Sequence, residues 1–168
     1  MNEFITILND EMAEIVEKKS QFIANICCVN NIYEAEEKIK LIKKKYNDAK
    51  HNCIAYRVIE NSQIIEKSSD DGEPSGTAGG PILNILQKSN LCNILVVVTR
   101  YFGGILLGTG GLVRAYSEAT QKAIEKSTKI HKTEGIEFEI HLDYSYFDIF
   151  KYYCKNNEIT ITKIEYGE

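Results

Sequence analysis

Two glycine-rich blocks near the middle of the chain carry the residue types best suited to contact a ligand. Nine of the eleven glycines lie between Gly72 and Gly111, within DGEPSGTAGGP and YFGGILLGTGG. The second block follows an apolar run and opens a helical pattern, and the free N–H groups of a first helical turn attract anions. Arg100 and Arg114 flank it and can grip a phosphate or carboxylate through paired N–H groups. The block predicts an anion or nucleic-acid contact, unless its glycines serve only tight loops and close packing.

The second block does not match the named nucleotide-binding motifs. Gly103 to Gly108 has the G-x-x-x-x-G spacing, but Thr109 and Gly110 replace the Lys and Ser or Thr that reach phosphates and magnesium. G-x-G-x-x-G is missed as well, so neither ATP nor NAD nor another cofactor is expected. Aromatic rings beside the block can stack on a base. The candidate anion- or nucleic-acid-binding residues are Arg100, Tyr101, Phe102, Gly103, Gly104, Thr109, Gly110 and Arg114.

Three carboxylates lie at the start of the first block: Asp70 directly precedes it, and Asp71 and Glu73 are within it, followed by two hydroxyls, Ser75 and Thr77. Converging oxygens would bind a hard cation, but we favour a turn at Asp71-Gly72 with Ser75 or Thr77 capping the next helix. No metal site is therefore expected. Polar loops on a rigid sheet are also where binding residues concentrate. The candidate ligand or partner residues here are Asp71, Glu73, Ser75, Thr77 and His51.

Catalysis has weaker support than binding. His51 and Cys53 lie on one face of a predicted strand, but no third residue to orient a Cys–His pair is evident. Ser75 and Thr77 have no lysine or histidine close in sequence to activate them, so no catalytic residue is assigned. The alternative is an enzyme that acts on a small anionic metabolite through both glycine blocks. A deep cleft holding Asp71, Glu73, Ser75 and an arginine would favour that alternative, whereas a flat or convex surface favours a macromolecular partner.

Composition and the length of the apolar runs limit the classes of protein to which the chain could belong. The net charge of −4 argues against a general nucleic-acid grip, and five cysteines without C-x-x-C make neither a disulfide framework nor a zinc site. No apolar run approaches the roughly 18 residues of a membrane span, and the first residues lack signal-peptide features. We therefore expect a cytoplasmic protein with no membrane contact.

The pattern of apolar residues predicts the elements that position the two blocks. A helix should begin after Asn31, with Glu34 at capping-box spacing. The run at 94–99 is apolar on both faces, as a central strand requires. Further predicted elements are extended structure over 1–29, strands at 52–59 and 64–65, helices at 77–89 and 109–127, and a terminal unit with strands at 136–142 and 158–166 around a helix at 145–156.

Four strings resemble the signature of the IMPACT/YigZ family: KKSQFIA (18–24), AKHNCIAYR (49–57), DGEPSGTAGGPIL (71–83) and VVVTRYFGGILLGTGGLVRAYSEA (96–119). The resemblance covers about residues 1–130. It implies an α+β domain like the second domain of a small-subunit ribosomal protein and like one domain of a translocating elongation factor, with helices on one face of the sheet. Relatives continue into a ferredoxin-like β-α-β-β-α-β domain, and residues 131–168 correspond to its first β-α-β half.

The resemblance also implies a function. It indicates a non-catalytic binding or regulatory module linked to translation or stress control. The expected partners are RNA, the ribosome or a ribosome-associated protein, contacted through Arg100, Arg114 and the Gly103–Gly111 loop. A third interpretation is a homo-oligomer formed through the sheet edge of the C-terminal unit, since exposed edges recruit partners.

Overall fold

The computed structural model describes residues 3–133 and 135–167. The chain divides into two compact units, Met1–Glu134 and Gly135–Glu168. The first unit includes strand β7 (Lys129–Thr133), which pairs antiparallel with β1 (Glu3–Ile7) in a small sheet.

A five-stranded antiparallel sheet forms the centre of the first unit, in the order β2-β3-β6-β4-β5. The middle strand, β6, is buried from Ile94 to Arg100, which agrees with the predicted central strand. The strands are β2 (Glu11–Glu17), β3 (Ser20–Cys28), β4 (His51–Glu60), β5 (Gln63–Ser69) and β6 (Ile94–Tyr101).

Three helices cover this sheet, and the α+β class is confirmed. α1 (Ile32–Lys45) packs on one face, whereas α2 (Gly79–Lys88) and α3 (Gly108–Lys126) pack on the other. The expectation of helices on one face therefore needs correction. The physical reason lies in β6, where Val96 and Val98 face α2 and α3 while Leu95 and Val97 face α1, so both faces need an apolar cover.

α1 begins as the sequence predicted. The Asn31 side chain accepts a hydrogen bond from the Glu34 backbone N–H at 2.7 Å. The Glu34 carboxylate reaches back to the Asn30 N–H at 2.8 Å, one residue before the position of the usual capping box. Local sequence spacing was sufficient here because both partners lie within one helical turn.

The second unit keeps its predicted helix but not its predicted strands. A 3-10 turn (Tyr144–Tyr146) leads into α4 (Phe147–Asn156), whereas the described residues of 136–142 and 158–166 form no strand. Alternating apolar residues define the face that a strand would bury, but a ladder also needs a neighbouring backbone to pair with. Without a sheet among residues 135–167, the sheet edge expected to support a homo-oligomer is not formed there.

None of the helices in the described part of the chain has the length and apolarity needed to cross a bilayer.

Candidate functional site

The first glycine block folds into an acidic loop, residues 70–77, that joins β5 to α2. The Asp70 carboxylate accepts hydrogen bonds from the backbone N–H groups of Gly76 (2.8 Å), Ala78 (3.0 Å) and Gly79 (2.8 Å). Asp70 thus occupies the N-terminus of α2, the role predicted for Ser75 or Thr77. Thr77 instead bonds the Pro74 carbonyl at 2.6 Å, and Ser75 is exposed. The correction follows from loop closure, which brings a carboxylate eight residues away onto the helix end.

Replacing Asp70 by alanine is expected to lower the free energy of unfolding by about 1 to 2 kcal/mol near neutral pH, the usual cost of a lost helix cap. Burial raises the pKa of Asp70, but the N–H groups of Gly76, Gly79 and Ala78 outweigh it and hold the pKa below the ordinary 3.8. A depressed carboxyl pKa contributes stability above its unfolded value, and that stability is lost as the pH falls through the folded value. Urea unfolding at pH 7 and pH 3 should therefore show the difference between wild type and variant shrinking in acid. A constant difference would contradict the capping role.

Asp71 and Glu73 turn towards opposite faces of the sheet. The Asp71 carboxylate accepts bonds from Lys43 of α1 and from the backbone N–H of Asn52, both at 2.7 Å. The Asp71 carbonyl lies 2.9 Å from His51 Nδ1, and because a carbonyl only accepts, this nitrogen donates. Burial raises the pKa of Asp71, but Lys43 and the Asn52 N–H together hold it below the ordinary value. Asp71 therefore ties the loop to α1 and β4.

Glu73 is the centre of a buried polar cluster beneath α3. Its side chain is only 3% exposed, and its Oε1 accepts from Arg100 Nη1 at 2.7 Å and from the Tyr116 hydroxyl at 2.8 Å. The second carboxylate oxygen lies 3.9 Å from His51 Nε2. The cluster joins the acidic loop to β6, the strand that leads into the second glycine block.

The Cys53 thiol belongs to the same cluster but is poorly suited to nucleophilic chemistry. Its sulfur lies 2.9 Å from the Asp70 carbonyl and 3.3 Å from the Tyr116 hydroxyl. Burial raises the pKa of Cys53 to about 12, and burial together with Cys53 and Glu73 raises the pKa of Tyr116 as well. The thiolate, not the thiol, is the nucleophile, so Cys53 stays protonated and inert at neutral pH.

The groups that would mark an enzyme cleft do not face one space. Glu73 and Arg100 are buried against each other, Asp71 contacts α1, and Ser75 is exposed. Within residues 3–133 and 135–167, no three His, Cys, Asp or Glu side chains are grouped to hold a metal ion. The acidic loop thus uses its carboxylates for internal bonds.

Arg100, an anion-binding candidate from the sequence, contributes to this internal structure. Its guanidinium carbon lies 5.6 Å from the ring centroids of both Phe22 and Phe102. Its Nε is buried and has no hydrogen-bond partner among the described residues. Neighbouring Tyr101 is half-buried, and its hydroxyl donates to Asp48 at 2.7 Å. Phe102, by contrast, is 55% exposed.

The second glycine block forms a tip loop, residues 102–107, that packs on the β2–β3 hairpin. A Cβ on Gly103 would lie 2.0 Å from the Lys19 carbonyl carbon, so only glycine allows this approach. The Gly103 N–H also donates to Ser20 Oγ at 3.1 Å. Gly104 has a φ of +85°, a conformation that glycine adopts without strain, and Leu106 is 82% exposed.

The hairpin turn below Gly103 consists of two lysines in the left-handed region. Lys18 has a φ of 45° and Lys19 a φ of 67°. A two-residue hairpin turn of this kind favours Asn-Gly, because other side chains are strained there. The β4–β5 hairpin of the same sheet uses Asn61 and Ser62 at the corresponding positions, with φ of 50° and 61°. The β2–β3 hairpin therefore has two strained lysines at turn positions where Asn-Gly would be less strained.

α3 begins beside these lysines with its N-terminus uncapped. Leu107 is the N-cap, and no side chain of the described residues bonds the first turn, which contains exposed Thr109 and Gly110 and no acid. Arg114 is exposed one turn later. A depression of about 120 Å³ lies here, well below the roughly 300 Å³ of small-molecule pockets. Its lining residues are Glu17, Lys18, Leu107, Gly111, Arg114, Ala115 and Glu118.

These neighbours define one surface, which we name the tip surface: the tip loop with Phe102, the Lys18–Lys19 turn, and the first two turns of α3 with Arg114. The structure brings Phe102, Gly103, Gly104, Thr109, Gly110 and Arg114 of the sequence candidates together here. It moves Arg100 inward, and it adds Lys18 and Lys19, which the sequence alone marked only as part of a family string.

Comparison with known proteins places the chain beside one family. The sequence model of the Impact N-terminal domain matches residues 18–124. The IMPACT family member YvyE of Bacillus subtilis is 38% identical over 168 residues, which are 100% of this chain and 77% of that protein. The IMPACT family member YigZ of Escherichia coli is 40% identical over 129 residues, 76% of this chain and 63% of that protein. A crystal structure of a hypothetical protein superposes with a TM-score of 0.76 at 31% identity, covering 99% of this chain and 82% of that one.

Proposed function

The chain belongs to the IMPACT family, and on that premise we propose that it is a non-catalytic binding module of the cytoplasm, linked to translation or stress control. Its ligand is RNA, free or within the ribosome, and its contact is the tip surface. RNA is chosen as the partner because of the family resemblance, and the tip surface is chosen as the contact because of the geometry of the first unit.

One observation carries the location: a strained pair of lysines, an uncapped helix N-terminus and an exposed aromatic ring lie side by side. Lys18 and Arg114 line the same depression, and Gly103 fixes Phe102 next to the Lys18–Lys19 turn. Cations and free N–H groups are the parts that grip phosphates, and aromatic rings accept unstacked bases. Strained residues cluster at functional sites because the strain is retained for a purpose other than stability.

The acidic loop gives less support to the metabolite-enzyme alternative. The oxygens of Asp70, Asp71 and Glu73 are bonded to backbone N–H groups, Lys43, Arg100 and Tyr116. The depression beside α3 has a volume of only about 120 Å³, and Glu17 and Glu118 line it together with Lys18 and Arg114. A small depression with mixed charge suits a macromolecular partner that contacts the surface around it better than an enclosed metabolite.

The double substitution Lys18→Asn with Lys19→Gly is expected to make the protein more stable and a weaker RNA binder. Asn-Gly relieves the left-handed strain, so the free energy of unfolding should rise by about 1 kcal/mol. Removing two charges should reduce affinity for a 20-nucleotide RNA and lower the slope of log K against log salt by about 0.7 for each phosphate that is no longer neutralised. Fluorescence anisotropy at two or more salt concentrations measures both quantities.

Three further variants control this experiment. Ser62→Gly places Asn-Gly in the other hairpin and should raise stability without changing RNA affinity. Lys44→Gln with Lys50→Gln removes the same charge from exposed positions near α1 and should leave affinity within about twofold if the binding site is local. Glu17→Lys should strengthen binding, because it replaces an acid that lines the depression. Equal losses of affinity in the two lysine pairs would contradict the site, and absence of RNA binding in all the proteins would contradict the proposed function.

A further inference from the structure

The exposed side chain of Phe102 contacts a buried arginine, Arg100. The Arg100 guanidinium lies over two rings, with its carbon 5.6 Å from the centroids of both Phe22 and Phe102. Phe22 is itself buried and meets Tyr116 edge-on at 5.1 Å and 88°. The exposed ring is thus connected through Arg100 to aromatic rings of the core.

An ion pair with Glu73 fixes the position of the Arg100 guanidinium. Arg100 Nη1 is bonded to Glu73 at 2.7 Å, and Glu73 is also bonded to Tyr116. A planar guanidinium that is anchored by a carboxylate packs against ring faces with little freedom to rotate. Arg100 lies over the Phe102 ring, and 55% of Phe102 is still exposed to solvent. The next residue, Gly103, packs closely on the Lys19 backbone and so places Phe102 beside the Lys18–Lys19 turn.

A fixed, solvent-exposed ring beside cations is suited to stack on a nucleobase. Bases inside a duplex are stacked on both faces and are not open to the ring, so we expect the ring to contact an unpaired base. The apolar neighbours Ile105 (43% exposed) and Leu106 would extend the contact to the edge of such a base. Phosphates on either side would then meet the Lys18–Lys19 turn and the α3 N-terminus.

We propose that Phe102 is a stacking platform for one unpaired base, and that the RNA recognised by the tip surface is single-stranded at that point. This inference rests on the proposed function and deepens it by naming the class of RNA. Arg100 is a positioning residue that acts through the ring, and Glu73 holds Arg100 in turn.

The test compares Phe102→Leu with wild type on a 20-nucleotide single-stranded RNA and on the corresponding blunt duplex. Leucine keeps an apolar side chain but removes the ring, and a base–aromatic stack contributes about 1 to 3 kcal/mol. Single-strand affinity should therefore fall at least about fivefold, with an unchanged salt slope because stacking releases no counterions. Phe102→Trp should retain the affinity. Tyr33→Leu removes another exposed ring, on α1, and should have no effect.

The outcomes separate this inference from the function on which it rests. If duplex RNA binds as tightly as single strands, or if Phe102→Leu keeps full affinity, the stacking platform is wrong. The proposed function would still stand in that case, provided that RNA binding remains salt-dependent. Absence of binding to either RNA by wild type would overturn both. Preference for single strands that Phe102→Leu abolishes and Phe102→Trp restores supports the platform.

Discussion

Replacing Glu73 by alanine is expected to lower the free energy of unfolding by about 3 to 5 kcal/mol, because it leaves a buried arginine without its counter-charge. Arg100 is 7% exposed at the side chain, and its contact with Glu73 is the hydrogen-bonded ion pair that compensates its burial. The Tyr116 hydroxyl would lose its acceptor at the same time. The Nε of Arg100 already lacks a hydrogen-bond partner among the described residues. Loss of Glu73 would therefore leave a second buried nitrogen of the guanidinium, Nη1, without its acceptor.

Guanidinium chloride unfolding of Glu73→Ala and Glu73→Gln measures this destabilisation. A surface pair supplies the control: Lys40 and Glu37 are also 2.7 Å apart, but their side chains are 71% and 44% exposed. Glu37→Gln should change stability little, since exposed pairs are screened by water. If the Glu73 and Glu37 variants lose the same stability, burial of the pair is not what holds the acidic loop on β6.

Gly103→Ala is expected to be the second severe substitution, and for a steric reason. The added Cβ would lie 2.0 Å from the Lys19 carbonyl carbon, 2.1 Å from its oxygen and 2.4 Å from the Ser20 nitrogen. These are backbone atoms of a paired hairpin and cannot rotate away, so either the tip loop or the hairpin must move. We expect the free energy of unfolding to fall by about 3 kcal/mol or more, in the range of overpacked cores, together with weaker RNA binding.

Gly110→Ala is the matched control, because it adds the same methyl group to the same glycine block. Nothing lies within 4 Å of a Cβ at Gly110, which is in the first turn of α3. Alanine should therefore raise stability by up to about 1 kcal/mol through helix propensity. Thermal unfolding of both variants is the measurement. Similar melting temperatures for the two would refute the close approach of Gly103 to Lys19.

Most of the fold was predictable because its determinants are local. The Asn31 cap, the apolar run of β6 and the helical spacing of α3 all lie within short windows, and the structure confirms each. The helices on both faces were implied by β6, whose apolar residues point both ways, although the family resemblance implied one face only. The strands expected around α4 are not formed in the described residues, because pairing depends on a partner that alternation does not supply.

The site was less predictable because burial and strain are properties of the fold. An arginine at a strand end is typical of a surface, and only the register of β6 places Arg100 beside Phe22 of β3 and His51 of β4. The capping of α2 by Asp70 spans eight residues of loop. For Lys18 and Lys19, the signal was present in sequence: two lysines between strand-like segments, where Asn-Gly is favoured.

The proposed contact between RNA and the tip surface can be located by ultraviolet cross-linking of the wild-type protein to a uridine-containing single-stranded RNA, with the linked peptides mapped by mass spectrometry. We expect cross-links within residues 18–22 and 101–114, and fewer of them at high salt because phosphate contacts weaken. Cross-links confined to the lysines of α1, such as Lys40, Lys44 and Lys45, would contradict it.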